Sequence, residues 1–278
     1  MRFPDYRAMV NLVRPLELVL FSIFPLIGRG ICRHDIPPLT LIVSSFVLSL
    51  AIILDNYIEG VLFHPDDARG GDYPVILGPR FFLFIKRCRE FLFLLFFAVT
   101  LLFSAGSVLL AVLVFGLVRI YNSRHLLVKT RPPIDFCCHF LGAFIFYLYG
   151  CTWQGRPEEV LVLPGLGMAA LFSGGYINHL LVDRVRDAGL GIKTLAHRLN
   201  PENVQYLAGS IIVAGDIILG VFFCKENLFR SVIFFTLGSS LVIMLFFVRD
   251  ARAFRRFYRF LHIVGLTLIF ASSLTGLG

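Results

Sequence analysis

Charged side chains are scarce in this sequence. They make up 16% of the 278 residues, while 57% are hydrophobic and the mean hydropathy is +0.80. Soluble domains carry about 25% charged residues, so this chain lacks the polar surface needed to cover a water-soluble globule. The charges it has cluster between apolar runs, and each long run suffices to cross a hydrocarbon core of ~30 Å in ~20 residues. A metal-type cysteine spacing is also missing. Cys32, Cys88, Cys137, Cys138, Cys151 and Cys224 form no CxxC pair and are expected to be unpaired thiols in apolar surroundings. Arg2, Arg7 and Arg14 precede the first apolar run and no small-residue cleavage site follows it, so a removable signal peptide is not expected. No internal repeat is apparent.

What is present is a series of apolar segments that predicts an all-α polytopic membrane protein. About nine transmembrane helices are expected in one bundle, forming a single domain over residues 1–278. The first two are expected over Pro15 to Ile31 and Leu39 to Gly60, followed by a charged loop to about Arg89. The stretch from Phe91 to Val118 is split into helices three and four at Ser104-Ala105-Gly106-Ser107, where small residues ease a turn. The remaining five are expected over Ile134 to Thr152, Val160 to Val182, Val204 to Phe223, Leu228 to Val248 and Phe257 to Leu277.

Charge placement supports that count. If the N-terminal tail and the loops after helices two, four, six and eight share one side, that side holds 21 of the 26 Lys+Arg residues. Positive charge accumulates in the cytoplasm, so the N-terminus is expected inside and the C-terminus outside. Topology thereby accounts for the net charge of +8, and no nucleic-acid partner is needed. Membrane lipids are the expected surroundings.

Two acidic segments stand out, each at the cytoplasmic end of a predicted helix. Asp55 and Glu59 end helix two, and Asp183 and Asp187 end helix six. In each, two carboxylates at i and i+4 project from one helix face. Like charges on adjacent turns repel unless a cation sits beside them. Mg²⁺ suits such a pair, since it takes a few carboxylate and phosphate oxygens and keeps several waters. Two such faces opposed would hold metal and grip one diphosphate. Arg80, Arg124, Lys129, Arg131, Lys193 and Arg198 lie in the same cytoplasmic segments, and two or three of them are expected to touch phosphate. Asp216 within helix seven, and Asn178 and His179 ahead of Asp183, are further polar residues in apolar surroundings. His179 lies one turn before Asp183 on the same face.

The run Asp183-x3-Asp187-x3-Gly191-x2-Thr194-Leu195-Ala196-x2-Leu199 resembles the second aspartate motif of UbiA-type intramembrane prenyltransferases, DxxxDxxxGxxTLAxxLG. Only the last glycine differs, being Asn200. Tyr121 through Lys129 to Pro132, Asp135 and His139 is similar to the family's YSxPPxRLKxxP stretch, though the paired prolines are absent. The family's first motif, NDxxDxxxD, is matched by Asp55-Asn56-x2-Glu59 with its first two positions exchanged and its last acid missing. Asp66 and Asp67 follow and are expected to be secondary.

The resemblance implies Mg²⁺-dependent transfer of a prenyl group from a prenyl diphosphate to an aromatic or other lipophilic acceptor within the membrane. Asp55, Glu59, Asp183 and Asp187 would be catalytic metal ligands. Asn56, Tyr121, Arg124, Lys129, Arg131 and Lys193 would bind the diphosphate. Phe46, Phe93, Phe97, Phe103, Phe140, Phe144, Tyr147 and Phe172 are candidate liners of the prenyl chamber. A membrane terpene cyclase of the same fold is the alternative, slightly raised by the altered first motif. A transporter or non-catalytic scaffold would need acids spread along a path at mid-bilayer depth, where only Asp216 lies.

Overall fold

The computed structural model describes residues 14–33, 37–63, 79–123, 126, 128–154, 161–189 and 191–274. Among them are nine long helices: α1 (Pro15–Arg33), α2 (Leu39–Phe63), α3 (Pro79–Phe103), α4 (Val108–Asn122), α5 (Ile134–Thr152), α6 (Val162–Gly189), α7 (Pro201–Glu226), α8 (Leu228–Phe247) and α9 (Ala251–Leu274). Six of the predicted segments are helices long and apolar enough to cross a membrane by length and composition. Large apolar side chains face outward, with Leu102 76% and Phe247 81% exposed. Water would penalise such a surface and lipid does not, so the chain is an integral membrane protein.

Small residues let the helices approach. The most extensive pairing is α6 against α7. A Cβ on Gly174 would come within 2.7 Å of the Ala208 carbonyl oxygen. In α5, a Cβ on Gly150 would land on the carbonyl of Pro25 in α1. Close backbone approach of this kind drives helix association where lipid removes the hydrophobic difference.

Helices three and four separate at the expected place. Ser104 leaves the helical region (φ −156°, ψ 68°) and a 3₁₀ turn follows over Ala105–Ser107. Ser104 Oγ and Ser107 Oγ lie 2.8 Å apart, and Ser107 Oγ is 3.0 Å from Thr152 Oγ1 of α5. The hydroxyls thus satisfy one another where the helix breaks.

Three expectations need correction. The charged loop was expected to reach Arg89, but α3 begins at Pro79. Helix six was ended at Val182, yet α6 runs to Gly189 and carries both acids of the second motif on helix. The ninth helix starts at Ala251 rather than Phe257. In each case a helix continues past the apolar run as charged turns, which a search for hydrophobic stretches truncates. The cysteines also differ: Cys32 and Cys151 are joined in a disulfide with Cα atoms 5.4 Å apart. Their contact comes from the close α1–α5 pairing, which 119 residues of sequence separation conceal.

Candidate functional site

A cavity of about 820 Å³ opens among α1, α2, α4, α5, α6 and α9, and the segment after α6 closes one side of it. Four helices grade in the same direction along it. On α6, Met168, Phe172 and Tyr176 give way to His179, Asp183 and Asp187. On α9, Arg255, Tyr258, Arg259 and His262 precede Leu266, all on one face by their spacing. Arg14, just ahead of α1, and Glu17 on it precede Phe21 and Phe24, and on α2 Ile53 precedes Asn56 and Gly60. The chamber is therefore charged at one end and apolar at depth. The α6 wall alone, from Met168 to Asp187, is about 28 Å long at 1.5 Å per residue.

At the charged end, Arg186 relieves the repulsion between the two acids. Its Nη2 is 2.7 Å from Asp183 Oδ2 and 3.7 Å from Asp187 Oδ1. His179 Nε2 lies 3.4 Å from Asp183 Oδ2, in agreement with the expected one-turn spacing.

The remaining residues of this motif shape the chain beyond α6. Ile192 N–H donates to the Asp187 carbonyl at 2.9 Å, and Gly191 takes φ +71°, a conformation that favours glycine. Thr194 then caps a single helical turn, Leu195–Arg198. Thr194 N–H donates to His197 Nδ1 at 3.2 Å, so the imidazole proton resides on Nε2, which donates to the Arg184 carbonyl at 2.9 Å. Ala196 is buried below that turn. Together these contacts fold the segment back over α6 and hold Lys193 and Arg198 in the cavity wall.

The first acidic segment behaves differently. The expectation that Asp55 and Glu59 face the second motif across a metal does not match the geometry. The cavity face of α2 is Ile53, Asn56, Tyr57 and Gly60, and Asp55 is a residue out of phase with it. Asp55 is fully buried behind that wall. Its Oδ1 accepts from Arg89 at 2.8 Å and Arg119 at 2.7 Å, and its Oδ2 accepts from Asn122 at 2.6 Å. Glu59 Oε1 is 3.7 Å from the same Arg89. Asn56 does reach the cavity, and its buried Oδ1 has no hydrogen-bond partner among the described residues.

Of the other expected residues, Tyr121 and Lys193 are in the wall. The Tyr121 hydroxyl is 3.3 Å from that of Tyr176, and the His139 ring stacks on Tyr176 with centroids 3.4 Å apart. Arg131 is exposed and off the wall, because its backbone turns the chain into α5. Arg124, Asp66, Asp67 and the side chain of Lys129 lie outside the described residues. Among the eight expected liners only Phe172 lines the chamber. Phe46 and Phe103 are about half exposed on the outer surface, and Phe93 is buried against Phe115. The aromatic lining comes instead from Phe21, Phe24, Tyr57, Tyr121, Tyr176 and Tyr258. Asp216 is buried and pairs with His262 of the wall, Oδ1 to Nε2 at 3.1 Å. Sequence reasoning missed the α1 and α9 contributions. The cue is the four-residue spacing of Arg255 and Arg259, of which only Arg259 falls within the expected ninth helix.

The donor chemistry suits a hard divalent cation. Two carboxylates one turn apart share the wall with an amide oxygen that lacks a partner. No group of three or more His, Cys, Asp or Glu able to hold a metal occurs among the described residues. A metal here would thus be held by few protein ligands and would need substrate oxygens to complete its shell, as Mg²⁺ does.

Neither a scan against protein-family models nor a search of curated proteins gives a match. Solved structures do match over nearly the whole length. A digeranylgeranylglyceryl phosphate synthase superposes with a TM-score of 0.70 at 15% identity, covering 97% of this chain and 98% of that one. A UbiA homolog from Archaeoglobus fulgidus bound to GPP and Mg²⁺ gives 0.69 at 16% identity, covering 95% and 98%. The same homolog bound to DMAPP and Mg²⁺ gives 0.67 at 15%, covering 93% and 98%. The chain has the UbiA fold.

Proposed function

We propose that this UbiA-fold chain is a Mg²⁺-dependent prenyltransferase that moves a prenyl group from a prenyl diphosphate to a lipophilic acceptor inside the membrane. The observation that carries this is the polarity gradient of a single chamber, whose acids and arginines meet at one end of a long apolar pocket. A prenyl diphosphate has the same polarity, with a multiply charged head and a hydrocarbon tail. The solved structures of this fold bound to GPP or DMAPP with Mg²⁺ support the choice.

Asp183, Asp187 and the Asn56 oxygen are the groups that would hold the metal. When bound, Mg²⁺ would supply positive charge to the departing diphosphate. Arg186, Lys193 and Arg198 add fixed positive charge at the same end. In the reaction the allylic C–O bond breaks, its electron pair leaves on the diphosphate, and the acceptor's nucleophilic atom bonds the allylic carbon and then loses a proton. Phe21, Phe24, Met168 and Phe172 hold the tail and exclude water, which would otherwise capture the cation. The faces of Tyr121, Tyr176 and Tyr258 favour positive charge nearby. A second cavity of about 100 Å³ shares Phe24, Asn56, Tyr121, His139 and Phe172 with the main one and offers room for an acceptor.

The test is incubation of the purified chain with prenyl diphosphates of several lengths and Mg²⁺, with and without a panel of phenolic and long-chain alcohol acceptors. Acceptor-dependent diphosphate release with a prenylated product is expected. Hydrocarbon or terpene alcohol formed from the diphosphate alone would identify a cyclase instead, and no turnover or binding of any prenyl diphosphate would sink both.

The same reading has the charged end of the chamber in the cytoplasm. The 21 Lys+Arg residues assigned to that side support it. The Cys32–Cys151 disulfide lies at the opposite ends of α1 and α5, where an oxidising compartment would preserve it. A cysteine placed at Val185, which is 85% exposed, in a background without the four free cysteines, should resist an impermeant thiol reagent in intact cells and react after lysis. Strong labelling before lysis would overturn the orientation.

A further inference from the structure

On the α9 wall, Arg255 and Arg259 find little compensating charge among the described residues. Arg255 lines the cavity with its side chain 16% exposed, and its ion pair among the described residues is with Glu17, 3.7 Å from Nη2. Glu17 is already held by Arg14 at 3.1 Å. Arg255 Nε is buried without a hydrogen-bond partner. Arg259, one turn further along α9 and also in the wall, has no carboxylate within 4.0 Å among the described residues. Among the described residues Arg255 and Arg259 thus have a single ion-paired carboxylate between them. Partly burying a guanidinium without a matching acceptor is costly, and a planar five-donor fork suits phosphate oxygens.

Charge on the remaining walls sharpens the point. The described residues lining the cavity include six Arg or Lys (Arg14, Arg186, Lys193, Arg198, Arg255, Arg259) and three acids (Glu17, Asp183, Asp187). The excess of three positive charges matches a fully ionised alkyl diphosphate, which carries about three negative charges. The opposing α2 wall offers the neutral Asn56, because Asp55 and Glu59 are turned toward Arg89.

We propose that Arg255 and Arg259, assisted by Arg14, form an anion-binding wall that grips the diphosphate directly, opposite Asp183 and Asp187, so that this chain binds diphosphate even without a divalent metal. The proposal rests on the prenyl diphosphate reading above. It assigns Arg255 and Arg259 to substrate binding, a role no sequence motif in the chain indicates.

The experiment is calorimetric titration of the purified full chain in detergent with inorganic pyrophosphate, and with geranyl thiolodiphosphate, both in EDTA. Saturable binding is expected for both probes, weakened about tenfold or more by Arg255→Gln and by Arg259→Gln. Arg259→Gln guards against misfolding, because Arg259 has no acid partner among the described residues to lose; parent-like thermal melting qualifies either variant. Glycerol phosphate separates the diphosphate from a lipid headgroup, and binding as tight as that of pyrophosphate would overturn the assignment. If both probes bind only with Mg²⁺ and the arginine variants match the parent, the wall is wrong while the prenyl diphosphate reading stands. If neither probe binds with or without Mg²⁺, both fall.

Discussion

Asp183→Ala and Asp187→Ala are each expected to lower prenyl transfer by at least about 10²–10³-fold, by analogy with the loss of a transition-state electrostatic contact, while the protein still inserts and melts near the parent temperature. The two acids lie on the chamber wall at adjacent turns of α6, and Arg186 contacts both. Removing one leaves Arg186 paired to the other, so the fold keeps a satisfied ion pair. The chemistry loses a carboxylate from a shell that has few to spare, since no third acid or histidine joins a metal-holding group among the described residues. Asn substitution should behave like Ala, because the amide keeps the shape and loses the charge. The check is turnover at saturating and at limiting Mg²⁺, together with a thermal melt. Near-parental turnover in either variant, or turnover of the parent that survives chelation, would remove the metal site from α6.

How much of this was legible in the sequence varies with the physics of each element. Helix existence was legible, because apolar runs in lipid must be helices or closed barrels to satisfy their backbone groups. Helix five was placed residue for residue, Ile134–Thr152, since an apolar run there coincides with the whole helix. Helix ends were lost wherever charged turns continue the helix, as at Pro79, Gly189 and Ala251. The second acidic pair was legible because i, i+4 spacing holds on any helix. The first pair misled for the same reason. Spacing says that Asp55 and Glu59 share a face, but not which face, and rotation about α2 is set by partners distant in sequence. Arg89, the decisive one, lay in a predicted loop. The aromatic lining was illegible because 30 phenylalanines serve lipid, core and cavity alike, and only packing separates Phe103 from Phe172.

Asp55→Ala is expected to destabilise the protein strongly, by about 3–5 kcal/mol, the range for removing one partner of a buried ion pair. Asp55 is inaccessible to solvent and Arg89 nearly so, at 0% and 3% side-chain exposure. Loss of the carboxylate leaves the Arg89 guanidinium buried with only Glu59, at 3.7 Å, and Glu90 beside it. It also strands the Asn122 amide that donates at 2.6 Å. Arg119 loses less, because its side chain is 43% exposed and can turn to water. The carboxylate therefore ties α2 to α3 and α4, and the expected phenotype is poor yield and a lowered melting temperature rather than an altered metal requirement. Glu59→Gln is the informative companion. As a metal ligand Glu59 would raise the Mg²⁺ needed for half-maximal turnover when neutralised. As an outer partner of Arg89, off the chamber wall, it should leave that concentration within about twofold of the parent and lower the melting temperature slightly, since a longer-range pair contributes roughly 1 kcal/mol or less. A sharp rise in Mg²⁺ demand for Glu59→Gln at unchanged stability would mean that α2 turns its acids to the chamber when substrate binds, and the structural role assigned to Asp55 would have to be withdrawn.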